Sequence, residues 1–258
     1  MESITMTKTL KQRLANQEPL VGTFVKTPSM MLAEVLSRTT MDLVCLDAEH
    51  SPFDRKDIDS NIFAYRAGGM PVLVRVPSAG HEQLLNALDC GATGVVVPHV
   101  DSLAKAQDIA KACQYGDGGR GYAGSTRAAN YAGNTVTQNL EHAASNTVVI
   151  AQIEDLAAFD EIEEIAAVEG IDCLFIGMMD LTVALGETTP RAPAVVELAE
   201  RVCLAAKKTG KSVGIFVPSA DDVAFWVERG VSLFLMSSDH AFIKQGANAL
   251  VEGVSKHF

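Results

Sequence analysis

Short runs of Val, Ile and Leu recur along the chain, separated by longer stretches whose apolar residues return with helical spacing. The runs are Leu20–Val25, Leu43–Asp47, Val72–Arg75, Gly94–Val97, Val148–Gln152, Cys173–Ile176, Ser212–Phe216 and Ser232–Met236. They are apolar at nearly every position, as strands covered on both faces should be. Between and after them the pattern predicts helices over Met30–Ser37, Arg55–Arg66, Glu82–Leu88, Leu103–Cys113, Leu156–Val168, Ala194–Thr209, Ala220–Glu228 and Ala241–Val254. Strict alternation of strand and helix implies a parallel sheet, and eight repeats close into a (β/α)8 barrel. An open doubly wound sheet would need a Gly-rich turn after its first strand, whereas this chain has Lys26-Thr27-Pro28-Ser29 there. Lacking any linker or low-complexity tract, residues 1–258 are read as one barrel domain. The long Gly-rich segment from Tyr115 to Val136 is read as a loop covering the site, with Arg120 and Arg127 in it.

Composition narrows the function classes. Hydrophobic residues make up 48% of the chain, enough for a sizeable core, yet no stretch approaches the roughly 18 apolar residues of a membrane span. A net charge of −11 with no basic tract argues against nucleic acid as a partner. The five cysteines are scattered, with no CxxC pair, and read as buried thiols. Residues Met1 to Gln17 do not form a secretory signal, so a cytoplasmic location is expected.

In a barrel of this kind the chemistry sits where the strands end. Strand two ends in Asp47-Ala48-Glu49-His50, strand three in Arg75, strand five in Gln152-Ile153-Glu154 and strand six in Gly177-Met178-Met179-Asp180. Glu154 and Asp180 leave adjacent strands at one rim and can share a hard divalent cation such as Mg²⁺ or Mn²⁺. The plainer alternative makes them helix-start acids, favoured there by the helix dipole. His50 has the pKa range of a general acid or base, and a guanidinium at Arg75 can hold a carboxylate or an oxyanion. A salt bridge from Arg75 to Asp47 or Glu49 is the competing reading. Asp47 and Glu49, one residue apart, would point the same way on an extended strand and support the cation directly or through a neighbour.

Taken together and in order, several segments resemble the HpcH/HpaI family of class II pyruvate aldolases over almost the whole length. They are Val21-Gly22-Thr23-Phe24, Leu46-Asp47-Ala48-Glu49-His50, Val74-Arg75-Val76-Pro77, Leu88-Asp89-Cys90-Gly91-Ala92, Val96-Val97-Pro98, Gly119-Arg120-Gly121, Ala151-Gln152-Ile153-Glu154 and Phe175-Ile176-Gly177-Met178-Met179-Asp180-Leu181. The resemblance implies a barrel of the phosphoenolpyruvate/pyruvate-domain type and a metal-dependent aldolase that cleaves or forms 4-hydroxy-2-oxo acids. Mg²⁺, Mn²⁺ or Co²⁺ would be held by Glu154 and Asp180. It further implies that His50 is an acid/base partner oriented by Asp89, that Arg75 steadies the enolate oxygen, and that Gln152 holds substrate or water. The backbone N–H groups of Met179 and Asp180 would receive a carboxylate. A homohexamer, a trimer of dimers exchanging the last helix, is implied as well. Many relatives carry Trp at Phe24, Pro-Ala at Met178-Met179 and Leu at Phe216; Phe24 and Phe216 line the aldehyde side, so the acceptor does not carry over. Related acyl-CoA lyases of the citrate lyase beta or malyl-CoA type share the barrel and its acids and are the alternative activity. A Schiff-base aldolase using Lys26, or a non-catalytic metal-binding barrel, are the remaining readings.

Overall fold

The computed structural model describes residues 8–258; Met1–Thr7 lie outside them, and with them the first part of the amino-terminal segment read for a signal. The described residues form a closed barrel of eight parallel strands in sequence order. These are β1 (Leu20–Val25), β2 (Leu43–Asp47), β3 (Val72–Arg75), β4 (Gly94–Val97), β5 (Val148–Ile153), β6 (Cys173–Ile176), β7 (Ser212–Val217) and β8 (Leu233–Ser238), with β8 pairing back onto β1. Each expected strand is present, within two residues at either end.

Two-residue alternation along the strands sorts their side chains into two cores. Leu43, Cys45, Leu73, Val96, Ile150, Cys173, Phe175, Leu233 and Leu235 fill the barrel interior. Val44, Leu46, Val74, Val95, Ala151, Ile153, Leu174 and Ile176 face the surrounding helices. The inward series continues upward from Leu43 and Cys45 to Asp47, from Leu73 to Arg75 and from Ile150 to Gln152. The apolar interior therefore gives way to polar side chains only at the carboxyl ends.

The helices are α1 (Leu10–Ala15), α2 (Met30–Leu36), α3 (Arg55–Ala67), α4 (His81–Asp89), α5 (Leu103–Ala112), α6 (Val136–Asn146), α7 (Ile162–Ala167), α8 (Met178–Ala184), α9 (Pro193–Thr209), α10 (Val223–Val227) and α11 (Asp239–Ser255). Helix α1 closes the amino-terminal end, where Leu10 and Leu14 join the interior cluster. Neither α1 nor α6 follows from apolar periodicity, though each opens on a capping box, Thr9 with Gln12 and Thr135 with Gln138. The two expected helices Leu156–Val168 and Ala220–Glu228 each begin as a 3-10 turn, Leu156–Asp160 and Ala220–Asp222. In the first, Glu161 at the break is drawn away to accept the Leu103 N–H. Helix α11 leaves Ile243, Leu250, Val251 and Val254 exposed.

The Gly-rich segment is not the cover expected from sequence. It follows α5, which has already carried the chain back to the amino-terminal end, and so lies on a helix-to-strand side. Arg120 pairs with Asp89, and Arg127 reaches Asp59 and the Cys90 carbonyl.

A methyl group on Gly94 would sit 2.2 Å from the Val148 carbonyl oxygen of the adjoining strand, whereas one on Gly246 in α11 meets nothing within 4 Å. Gly94→Ala is expected to lower the unfolding free energy by at least about 1–3 kcal/mol, and Gly246→Ala to leave it unchanged or raise it by up to about 1 kcal/mol, both read from urea denaturation midpoints.

Candidate active site and metal centre

Asp47 is the anchor of the mouth. It is fully buried and accepts from Arg75 Nε at 3.0 Å and Nη2 at 2.8 Å, from Lys26 Nζ at 2.7 Å and from the His50 N–H at 3.1 Å. Burial pushes its pKa up, but the Arg75 and Lys26 charges outweigh that and hold the carboxyl below its ordinary range. Arg75 is fixed on a second side by the Phe24 ring, 4.4 Å from its guanidinium carbon. Its Nε also faces Glu49 Oε2 at 3.3 Å. Both sequence alternatives for Arg75 therefore coexist: it is salt-bridged to two acids and stands at the lip of the cavity. Although β2 ends at Asp47 and the chain turns there, Asp47 and Glu49 both reach the Arg75 Nε.

A second acid group lies beside the first. Glu154, one residue beyond β5, is buried; its Oε1 accepts the His99 N–H at 2.9 Å and its Oε2 accepts from Gln152 Nε2 at 2.5 Å. Gly177 makes room for it, since a Cβ there would lie 2.5 Å from Glu154 Oε2. Glu49 Oε1 comes within 3.9 Å of His99 Nε2, and His99 Nδ1 lies 3.4 Å from Glu154 Oε1 and 3.0 Å from Asp155 Oδ2. Ligand atoms of Glu49, His99 and Glu154 all lie within 4.8 Å of one another. Burial and mutual repulsion raise both acids: for Glu49 desolvation leads and the Glu154 charge adds to it, against Arg75 and His50. For Glu154 desolvation again leads and the Asp180 charge adds, against the Gln152 and His99 hydrogen bonds. His99 is raised too, because the Asp155 hydrogen bond and the three nearby carboxylates outweigh its partial burial.

This donor set fits a divalent cation. Two carboxylates and an imidazole are a familiar mixture for such ions. Gln152 Oε1 is buried without a hydrogen-bond partner, the condition expected of an atom awaiting an ion or its water, and Glu49 Oε2 has only its ion pairs with Arg75 and His50. Asp180 stands outside the triad, in the first turn of α8 with its charge felt by Glu154. His99 and Asp155 escaped the sequence reading. The signal was available in Pro98-His99 directly after β4, since a histidine at that level faces the same mouth; its left-handed φ of 54° is visible only in the fold.

A cavity of 470 Å³ opens beside these acids, and its lining includes His50, Arg75, Gln152, Met179, Asp180 and Arg191. That volume suits a small metabolite. Its wall is aromatic: Phe24 packs against Phe216 at 5.9 Å and edge-on to Phe175 at 6.4 Å. Met179 is exposed in it, and Arg191 pairs with Asp222 at the rim. Of the residues singled out from sequence, His50, Arg75, Gln152, Glu154, Met179, Asp180, Phe24 and Phe216 gather here, and Asp89 does not. It is the last residue of α4, at the other end of the barrel, and is taken up by Arg120. The expected pairing of Asp89 with His50 is therefore not made within one chain; the His50 ring meets Glu49 at 3.6 Å instead.

Fold and site together define a parallel barrel with an acid-rich, metal-ready mouth, the architecture of a lyase acting on small oxygenated acids. The HpcH/HpaI aldolase/citrate lyase family model matches residues 20–244, and the chain belongs to that family. It is 37% identical over 243 residues to a hydroxypyruvate/pyruvate aldolase of Paraburkholderia phytofirmans, covering 91% of this chain and 93% of that one. A 5-keto-4-deoxy-D-glucarate aldolase of Klebsiella pneumoniae is 28% identical over 258 residues, covering 99% and 100%. A crystal structure of an HpcH/HpaI aldolase/citrate lyase family protein from Burkholderia cenocepacia superposes with a TM-score of 0.90 at 33% identity, covering 96% of this chain and 100% of that one.

A cation bound at about 100 times its dissociation constant should add about 2.7 kcal/mol to stability. Thermal melts with and without chelator are expected to show that gain, and Gly177→Ala, which pushes Glu154 aside, to remove most of it. An unchanged melting temperature on chelation of the wild-type protein would count against the centre.

Proposed function

We propose that this chain is a divalent-metal-dependent aldolase that cleaves or forms 4-hydroxy-2-oxo acids through an enolate, giving pyruvate or a close 2-oxo acid and an aldehyde. The observation that carries the reading is the convergence of Glu49, His99 and Glu154 beside a guanidinium locked by Asp47. The names of its relatives point the same way. Glu154 and Asp180 would hold a divalent cation, Mg²⁺, Mn²⁺ or Co²⁺, with Glu49 and His99 close by, and the cation would supply the charge that draws electrons toward the 2-oxo group.

The remaining steps fall to the chain's own residues. Arg75 offers the oxygen where negative charge develops the N–H groups that Asp47 leaves free, and it needs no reorganisation because Asp47 and Phe24 already hold it. Gln152 holds substrate or water through its free amide oxygen. The N–H groups of Met179 and Asp180, in the first turn of α8, receive the substrate carboxylate. In cleavage, His50 takes the proton of the C4 hydroxyl, the C3–C4 bond breaks, and its electron pair enters the enolate as the aldehyde leaves. Protonation at C3 then completes the 2-oxo acid, and synthesis reverses the order. Phe24 and Phe216 contact the aldehyde.

Lys26 is ion-paired to Asp47 and Lys211 binds the Val168 and Ile171 carbonyls, which disfavours a Schiff base at either. A dyad of Asp89 with His50 belongs to two neighbouring copies. This accords with a homohexamer, a trimer of dimers exchanging α11, whose exposed apolar residues support assembly. The reading assigns the enzyme to the cytoplasm, acting on small acids.

Pyruvate release should be detectable from a panel of 4-hydroxy-2-oxo acids, disappear with chelator and return with divalent cation. Glu154→Gln should abolish it, and Arg75→Lys should lower kcat by about 10²–10³-fold because one ammonium cannot replace the fork. Turnover that survives chelation, or a stable adduct at Lys26 after borohydride trapping with pyruvate, would overturn the mechanism, and cleavage of a malyl thioester alone would reassign the substrate.

A further inference from the structure

At the amino-terminal end of the barrel, away from the mouth, a second cavity of 370 Å³ lies where α3 and α4 end, beside α6 and the Gly-rich segment. Its lining includes Arg66, Thr93, Tyr115, Arg120, His142 and Asn146, and no Asp or Glu takes part in it. In a chain of net charge −11, a wall with two guanidiniums and no acid is set against the prevailing charge.

Three of these side chains are poised as donors. Arg120 is buried, held by Asp89 on Nη2 at 2.5 Å and by the Tyr115 ring 4.6 Å from its guanidinium carbon, yet its Nε has no hydrogen-bond partner. A buried N–H left unpaired on a cation calls for an acceptor. Arg66 donates from Nη1 to the Gly91 carbonyl at 3.0 Å, the one hydrogen bond its side chain makes among the described residues, and no ion pair among them includes it. Gly91 permits that crossing, since its φ is 92° and a Cβ on it would lie 2.7 Å from Arg66 Nη1. Partial desolvation and then the Arg127 charge draw the Arg66 pKa below its ordinary value, as expected of a cation short of counter-charge. At His142 the tautomer is set by Asn146, whose Nδ2 donates to the His142 carbonyl at 2.9 Å and faces the ring Nδ1 at 3.2 Å. Nδ1 therefore accepts, and Nε2 carries the hydrogen. The ends of α3, α4 and α6 bring partial negative charge to this region, but their carbonyls take up only one side-chain N–H of Arg66 and none of Arg120.

We propose that this cavity binds a small oxyanion, a phosphate monoester or a dicarboxylate, held by the Arg66 and Arg120 guanidiniums and the His142 Nε2–H. The site is separate from the mouth and does not depend on how the mouth is read. A guanidinium fork matches the oxygens of a carboxylate or a phosphate, and the volume admits a small metabolite. With Asp89 paired to Arg120, Arg66 is left without an acid, and the bound anion supplies it.

The test titrates the full-length protein with inorganic phosphate and, separately, with succinate, at constant ionic strength against chloride. Calorimetry should show a saturable site that persists with equal affinity in Arg75→Lys and Glu154→Gln and is weakened by about tenfold or more in Arg66→Gln. Arg66→Lys, which keeps the charge and loses the fork, should weaken it by a smaller factor, and His142→Phe, which removes one neutral donor, by about two- to tenfold. Saturation by phosphate alone assigns a phosphate ester, by succinate alone a dicarboxylate, and by both the shared oxyanion chemistry. Binding unchanged in Arg66→Gln, binding lost in Glu154→Gln or Arg75→Lys, or no saturable binding of either anion overturns the proposal.

Discussion

Two carboxylates, the half-buried Glu49 and the buried Glu154, stand side by side at the mouth of an otherwise apolar barrel, and the surrounding residues are arranged about that conflict. Like charges out of water repel and lose hydration, which is why both acids hold their protons more tightly than usual. The chain answers in three ways. Arg75 supplies a fixed positive charge to Glu49, Gln152 and the His99 N–H supply hydrogen bonds to Glu154, and Gly177 supplies space. None of these neutralises both acids together. A divalent cation does, and the same charge that relieves the repulsion is what an enolate-forming reaction requires.

Arg75 is held in place by Asp47 behind it. A buried ion pair broken on one side leaves an uncompensated charge at a cost of about 3–5 kcal/mol, so this pair ties the geometry of the mouth to folding more tightly than a surface bridge would. Lys26 and the His50 N–H complete the coordination of Asp47, which therefore couples three strand ends, β1, β2 and β3, into one polar plate. Asp239 adds β8 to it by accepting the Lys26 and Thr27 N–H groups. The aromatic wall of Phe24, Phe175 and Phe216 lines the cavity, and Phe24 joins it to the acids through the Arg75 guanidinium.

The strands were legible because a barrel buried on both faces writes continuous apolar runs, and their carboxyl ends were legible because the first polar residue after each run faces the mouth. That rule found Asp47, Arg75, Gln152 and Asp180 without reference to any relative. It missed His99, where Pro98 intervenes and a left-handed residue turns the side chain inward, a conformation that sequence spacing does not encode. It misplaced the 115–136 segment for a related reason: α5 and a long connection both lie between β4 and β5, and composition alone does not say at which end of the barrel the connection falls. The capping boxes of α1 and α6 were present in the sequence, but helices so short in apolar periodicity take their stability from the surfaces they cover, Leu10 and Leu14 sealing the barrel floor in the first case.

The separation of Asp89 from His50 follows from the same topology and constrains how the enzyme can be assembled. A helix after a strand must return the chain to the amino-terminal end before the next strand begins, so a residue at the close of α4 and one just after β2 face opposite ends of one barrel. Within the chain, Asp89 is satisfied by Arg120, which itself stacks on Tyr115. Yet Arg120 Nε remains buried and unpaired, so that end of the barrel holds polar groups its own chain does not fully satisfy. The face carrying α11 is likewise incomplete, with four apolar residues in water. An unsatisfied polar floor and an uncovered apolar helix on one molecule are the two kinds of surface that closed assemblies bury together.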